Sequence, residues 1–566
     1  MKRRNFVVGS AVAGTALAYE ACSSSLLTTP LNGAGYTLNV GYATYSLGGY
    51  TMKTRTYNGS TVGPMMEVHP GSMLSVTINN QLPKNPTVVV PTGTQTRVVP
   101  QYRNAYDLMR HHASATAAVT GTIDPMNNPH DFNTTNLHVH GIQTVPHLFE
   151  PVGTSDPNSM MIAVTPGSTY HYNLPVPADH PSGLFWYHPH HHGSTDVQVS
   201  GGMAGLIVVR GAIDQVPEIA KMREIFIVVQ TINVNPNATT NVYEYEPVAY
   251  SSGANGYTGG TDFTMFTTNG QAIGWLNNNA AVPVPTSLPV PQFQMRPGEI
   301  VRVRYLNGTN GFFLPLVLPG MTSYIIGWDG INFLAPVQTA MDYTGTVTPA
   351  NMQSVNAVVT SPANRLEFLV QAPSAPGTYT LSSASQNDFS FQFPALPIAQ
   401  FVVSGSPVSM TVPASLPVPS REYPLIADSE IVNHRTLTLN QNGTQPPGFD
   451  VVLTGFYVWI DNALYDEMHI NQTVTAGTAE EWTILNPTMC AHPFHIHVNS
   501  FQLTKVNGVA VTPQFYDTFV VPPGTSSAPG SITFRTRFKE FRGKSVYHCH
   551  ILQHEDTGMM NNFQIN

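Results

Sequence analysis

The chain has 566 residues, 42% of them hydrophobic, enough for several buried cores and too apolar for a disordered chain. With 24 basic residues against 33 acidic ones the net charge is -9, which argues against the basic face of a nucleic-acid binder. Three cysteines, Cys22, Cys490 and Cys549, exclude a disulfide scaffold, and 45 glycines with 47 prolines favour short elements joined by turns over long helices.

The first predicted element is an export signal with a flexible lead-in, residues 1–30. Lys2-Arg3-Arg4 precede a small, apolar run from Val7 to Ala18 that is too short to remain as a membrane span. The adjacent arginines resemble a twin-arginine signal, the alternative being an ordinary secretory leader. The expected partner is therefore the twin-arginine export machinery, and the expected location is the periplasm or outside the cell. Lipid anchoring at Cys22 is not expected, because Tyr19 stands where a lipid-attachment site carries leucine. No later segment reaches the 18 or more apolar residues of a permanent transmembrane segment.

Short alternating strands follow. His69-Pro70-Gly71 introduces Ser72–Ile78, Arg296-Pro297-Gly298 introduces Ile300–Arg304, and Ala476-Gly477 introduces Glu481–Leu485. The three regions close on Leu206–Val209, Ala399–Val403 and Val546–Ile551. One plan used three times predicts three related all-β domains, at 31–212, 213–410 and 411–566. Residues 84–135 read as a long loop inserted in the first.

The 21 histidines are concentrated rather than scattered. Four segments carry His-x-His pairs: His138-Val139-His140, His188-Pro189-His190, His495-Ile496-His497 within His492–His497, and His548-Cys549-His550, followed by His554 and Met559. Along a strand, residues i and i+2 project to one face and i+1 to the other. His548 and His550 then address one metal cluster while Cys549 faces another, with the two sites roughly 10–15 Å apart. Cys549, His492 and His554 with a weak axial thioether from Met559 form the ligand set of a blue-copper centre. Zinc also binds His and Cys, but it leaves unexplained the eight remaining histidines, His138, His140, His188, His190, His495, His497, His548 and His550.

On these motifs the sequence resembles the multicopper oxidases, in particular the three-domain laccase-like group, from about residue 60 to Phe563. The resemblance implies three cupredoxin-like Greek-key β-sandwich domains, with type 1 copper in the third and a copper cluster between the first and third. It implies four copper ions: type 1 held by His492, Cys549, His554 and Met559; type 2 by His138 and His495; and two type 3 ions by His140, His188, His190, His497, His548 and His550. Val139 stands where the family more commonly has tryptophan. His111, His112, His130, His191 and His192 have no ligand slot and are expected at the surface or in loops.

The family's chemistry couples four one-electron oxidations of a donor outside to reduction of dioxygen to water inside. Electrons enter at an exposed edge of His492 or His554 and pass through Cys549. Protons require an acid near the cluster; Asp156 is the first candidate and Glu150 the second, with Glu555 as a further relay and Asp517 as a residue that orients a ligand histidine. The methionines are dispersed rather than massed in an insert, which favours phenolic or similar organic donors over cuprous, ferrous or manganous ions. Two alternatives remain open here: a metallo-oxidase of metal tolerance, and a copper-binding envelope protein with little turnover.

Overall fold

A computed structural model describes residues 35–85, 95–101, 115–121, 126–127, 129–237, 242–244, 263–277, 288–348, 351–352, 354–386, 394–442 and 457–566. The leader, Cys22, His111, His112 and much of the expected 84–135 insertion lie outside the described residues. From that insertion the antiparallel pair Gln95–Gln101 and Ala115–Gly121 is described.

The thrice-used turn reads directly in the backbone. Gly71, Gly298 and Gly477 have φ of +78°, +76° and +82°, a left-handed conformation that glycine adopts without strain. Each turn launches a strand: Met73–Asn80, Ile300–Gly308 or Thr478–Asn486. Each of those strands pairs in parallel with the strand that opens its region, Tyr36–Leu47, Glu224–Asn237 or Ile431–Asn442. On its other side it pairs antiparallel with Thr169–Pro175, Arg365–Gln371 or Gly530–Phe538. The chain is thus all-β, built from three sandwiches on one plan.

Alternation turns one face of each sheet inward. In the first unit Leu38, Val76, Ile78, Tyr172 and Leu174 meet Val139, Phe185, Tyr187 and Ile207 of a second sheet ordered Gly63–Val68, Gly205–Val209, Gly183–His188, His138–His140. The third unit packs Leu437, Trp482, Ile484 and Phe534 against Phe494, Tyr547, Cys549 and Phe563. Its second sheet runs Ile470–Val474, Met560–Ile565, Gly543–Cys549, His492–Ile496, Thr518–Val521. The middle unit has its own core around Val303, Tyr305, Phe368 and Phe401. Its outer sheet joins that of the first unit through Val242–Glu244, which pairs in parallel with Tyr50–Tyr57.

Helix is confined, among the described residues, to short turns such as Thr195–Val199 and Leu552–Asp556, and no helix is long and apolar enough to cross a membrane. One expected strand is shorter than its pattern. Val546–Ile551 alternates, yet the strand ends at Cys549: the His550 N–H still donates to the Pro493 carbonyl opposite it, but proline has no N–H to return, and the Leu552 N–H turns away to the Asn310 carbonyl. The chain therefore leaves the ladder between the two imidazoles and turns into Leu552–Asp556.

Candidate metal centre

The strands His492–Ile496 and Gly543–Cys549 lie antiparallel with Phe494 opposite Cys549 and His495 opposite His548. That register places the two histidine motifs of the third unit side by side. In the first unit His138 lies opposite His188 and His140 opposite Trp186. Four motifs spread over more than 400 residues thereby converge on two buried groups.

The smaller group contains His492, Cys549 and His554, all buried. The Cys549 Sγ lies 3.5 Å from His492 Nδ1 and 3.7 Å from His554 Nδ1. Met559 is fully buried in the same core, and its main chain is tied to both neighbours: its N–H donates to His554 and its carbonyl accepts from Cys549. The other ring nitrogen of His492 lies 2.9 Å from the Thr488 hydroxyl, which leaves Nδ1 turned towards the thiol. Burial holds His554 down to about 3 and pushes the Cys549 thiol well up. Neutral imidazoles beside a thiol that only a cation could ionise suit a soft metal. The expectation of an exposed imidazole edge is not met: His492 is fully buried and His554 is 3% exposed. Exposed side chains flank this group in sequence: Met489, directly after Thr488, and Gln553, directly before His554.

The larger group gathers His138, His140, His188, His190, His495, His497, His548 and His550, each at most 2% exposed. Their rings stack or meet edge-on, with centroids 4.0 Å apart for His138 and His497, 3.9 Å for His140 and His495, and 5.5 Å for His548 and His550. His548 and His550 thus share a side, as i and i+2 should, although the strand has already ended. Burial is the main reason that all eight are held below the ordinary histidine range, His188, His495 and His548 to about 3.

Hydrogen bonds decide which nitrogen faces inward. Nδ1 of His188, His495 and His548 donates to the backbone carbonyls of Pro189, Asp517 and Cys549, leaving Nε2 bare. His140 is turned the other way, with Nε2 on the Asp517 carboxylate at 3.1 Å. Among the described residues, His138 Nε2, His140 Nδ1, His188 Nε2, His495 Nε2 and both nitrogens of His550 are buried with no hydrogen-bond partner. Nε2 of His190 and Nε2 of His497 each lie 3.1 Å from His548 Nε2. Bare nitrogens brought this close repel one another unless a cation lies between them, and orphaned buried acceptors require the same explanation. Copper fits this imidazole-rich donor set. A carboxylate cage for a hard cation does not.

Not every expected acid is near. Asp156 and Glu150 are exposed. Asp156 accepts the Asn158 N–H within its own turn, so the structure does not bring either acid to the histidines. Glu555 is there instead, fully buried, 3.2 Å from His190 Nδ1 and 3.3 Å from His548 Nδ1. Burial, reinforced by Asp556, holds its carboxyl far above the usual range. Asp517 lies against both His140 and His495. His191 and His192 stand in a loop, one of the two places expected for them, but His192 is buried there, 4% exposed with its ring 4.5 Å from that of Tyr465.

His147 is among the residues that the sequence did not single out. His147 Nδ1 donates to the Val145 carbonyl, so its Nε2 accepts, and both His138 Nδ1 and the Val139 N–H lie 3.1 Å from it. His147 therefore turns His138 Nε2 inward. Its one sequence signal is a histidine nine residues after His138, which carries no ligand spacing.

Family profiles described as multicopper oxidase match residues 117–213 and 434–566. A laccase of Bacillus subtilis (strain 168) is 28% identical over 236 residues, 38% of this chain and 44% of that protein. The match to a Bacillus stratosphericus laccase spans 29% of that protein, so the chain aligns with less than half of either laccase. Copper resistance protein A of Escherichia coli is 20% identical across 100% of this chain and 99% of its own. The multicopper oxidase from Campylobacter jejuni, described as a metallo-oxidase, superposes with a TM-score of 0.63 at 21% identity, covering 95% of this chain and 93% of that one. The laccase-like CueO from Ochrobactrum sp. also gives 0.63, at 19% identity, covering 96% and 100%. Likeness at these identities establishes the fold, three cupredoxin-like sandwiches.

Proposed function

We propose that this chain, which belongs to the multicopper oxidase family, couples four one-electron oxidations of a phenolic or similar organic donor to the reduction of dioxygen to two waters. The observation that carries the reading is the segment His548-Cys549-His550, whose sulfur lies with His492 and His554 while its two imidazoles lie in the eight-histidine group. We assign type 1 copper to His492, Cys549, His554 and Met559, and type 2 to His138 and His495. We assign one type 3 ion to His190, His497 and His548, and the other to His140, His188 and His550. Support comes from the clustering of Nε2 atoms in the first type 3 set and from the orphaned nitrogens in the second.

Copper held by these residues would supply one-electron redox chemistry at the Cys549 group and four-electron reduction of dioxygen at the eight-histidine group. The remaining work belongs to the protein. Burial keeps the imidazoles neutral, so all of them have lone pairs to offer. Glu555, held protonated by burial, can deliver a proton at its carboxyl oxygens beside His190 and His548. Cys549 and its peptide neighbours form a covalent path between the groups. Thr488 covers the outer nitrogen of His492, so a donor docked by Met489 passes its electron across that hydroxyl rather than binding the imidazole itself.

A second reading, oxidation of cuprous, ferrous or manganous ions, is favoured by the full-length match to copper resistance protein A and the fold match to the Campylobacter metallo-oxidase. The Arg3-Arg4 leader supports export through the twin-arginine machinery to the periplasm or beyond, and we retain 31–212, 213–410 and 411–566 as the domain limits. Copper-loaded protein should consume one dioxygen per four phenolic donors without accumulating hydrogen peroxide. Higher kcat/KM for Cu(I) or Fe(II) selects the metal-ion reading. Four bound coppers with no oxygen consumption by any donor reduces the chain to a copper-binding envelope protein.

A further inference from the structure

None of the candidate ligands lies between residues 213 and 410, so the middle unit has no part in the copper assignment above. Its side chains nevertheless reach the cluster. The turn after Thr322–Trp328 carries Asp329, and the strand Arg365–Gln371 begins with Arg365; both side chains are fully buried. The guanidinium of Arg365 grips Asp517 with two prongs, Nη1 to Oδ1 at 2.9 Å and Nη2 to Oδ2. Asp329 accepts the main-chain N–H groups of Arg365, Asp517 and Thr518 at 3.0, 3.2 and 3.3 Å. Asn364 adds a bond from its amide to the Thr518 carbonyl at 3.0 Å. Residues 517 and 518 of the third unit are thus clamped by side chain and backbone to the middle one.

What the clamp holds is a pair of imidazoles from different units. The Asp517 carboxylate takes His140 Nε2 from the first unit, and the Asp517 carbonyl takes His495 Nδ1 from the third at 2.7 Å. The Thr518 hydroxyl lies 3.3 Å from His140 Nε2 and 3.2 Å from His495 Nδ1. These bonds make the two stacked rings present opposite nitrogens inward, Nδ1 of His140 and Nε2 of His495, the ones left without partners. Closure demands glycine at position 141, where φ is +82° and a Cβ would overlap both the Arg365 guanidinium and the Asp517 carboxylate.

We propose that Arg365 and Asp329 of the middle unit are positioning residues for the histidine cluster, acting through Asp517 to set the tautomer and angle of His140 and His495. The inference rests on the copper reading above. A carboxylate behind a metal-ligating histidine fixes ring orientation, and losing such a partner commonly weakens metal retention about 10–100-fold. Lysine keeps the charge of Arg365 but has no planar fork, so Asp517 is free to rotate away from His140.

The test compares R365K and D329N with wild type and with R302K. Arg302 is an equally buried arginine of the middle unit that pairs with Asp214 and Glu367 instead. Copper per chain is counted during chelator competition, the type 2 electron paramagnetic resonance spectrum is recorded, and the type 1 visible band serves as an internal control. R365K and D329N should release about one copper 10–100-fold more readily. Their type 2 hyperfine splitting should change, while the type 1 band and R302K stay as in wild type. If R365K does not fold, D329N, which keeps the shape but turns one of the two accepting oxygens into an NH2 donor facing those main-chain N–H groups, carries the same expectation. Unchanged copper retention and spectra in both variants, or the same loss in R302K, overturns the inference alone. A wild-type chain without any type 2 signal overturns the copper reading and the inference with it.

Discussion

Stripping the metals should make folding strongly acid-sensitive, and the structure sets the scale. His188, His495, His548 and His554 are buried neutral and held to about 3, against about 6.5 for an unfolded histidine. A group whose folded value is the lower one binds fewer protons in the folded chain. Its contribution to stability is therefore intact above pH 6.5 and is lost as the pH falls from 6.5 towards 3. At pH 5 each of these four loses about 2 kcal/mol, or about 8 kcal/mol together, comparable to the whole stability of an ordinary domain. The other buried histidines of the cluster shift in the same direction and steepen the fall. Bound copper competes with protons for the same nitrogens and should postpone the loss to lower pH. Urea melts of metal-stripped and copper-loaded protein at pH 8, 6.5 and 5 measure the difference. The stripped midpoint should change little from pH 8 to 6.5 and collapse by pH 5, with the loaded one holding. A stripped protein equally stable at pH 8 and 5 would refute the buried, neutral cluster.

Cys549→Ser replaces the buried thiol with a hard hydroxyl; visible absorption and donor oxidation should vanish while about three coppers remain bound, and a persisting strong blue band would reject the sulfur assignment. Glu555→Gln keeps shape and burial but removes the transferable proton. In stopped-flow, reduction by an anaerobic donor should be unchanged while reoxidation by dioxygen slows about 10²–10⁴-fold. Equal reoxidation rates would point to another proton source.

How much of this was legible in the chain follows from the range over which each interaction acts. Strand period is local, so His548-Cys549-His550 announces by itself that sulfur and imidazoles part company. The repeated Pro-Gly and Ala-Gly turns announce the three sandwiches for the same reason: a left-handed turn followed by alternation needs no distant partner. The supporting polar groups are a different matter. Asp517 reaches His140 across 377 positions and Arg365 reaches Asp517 across 152, distances at which spacing carries no signal. Asp156 and Glu150 drew attention because they follow His140 closely in sequence, yet their loop turns them to water, whereas Glu555 reaches the cluster because the chain folds back after Cys549. The ligand types and their division into two groups are set by residue chemistry along single strands. For His188 and His548 the inward nitrogen is set by a carbonyl one residue away, but which nitrogen His140 offers is set only when the first and third units close on one another, because its acceptor, Asp517, comes from a different unit.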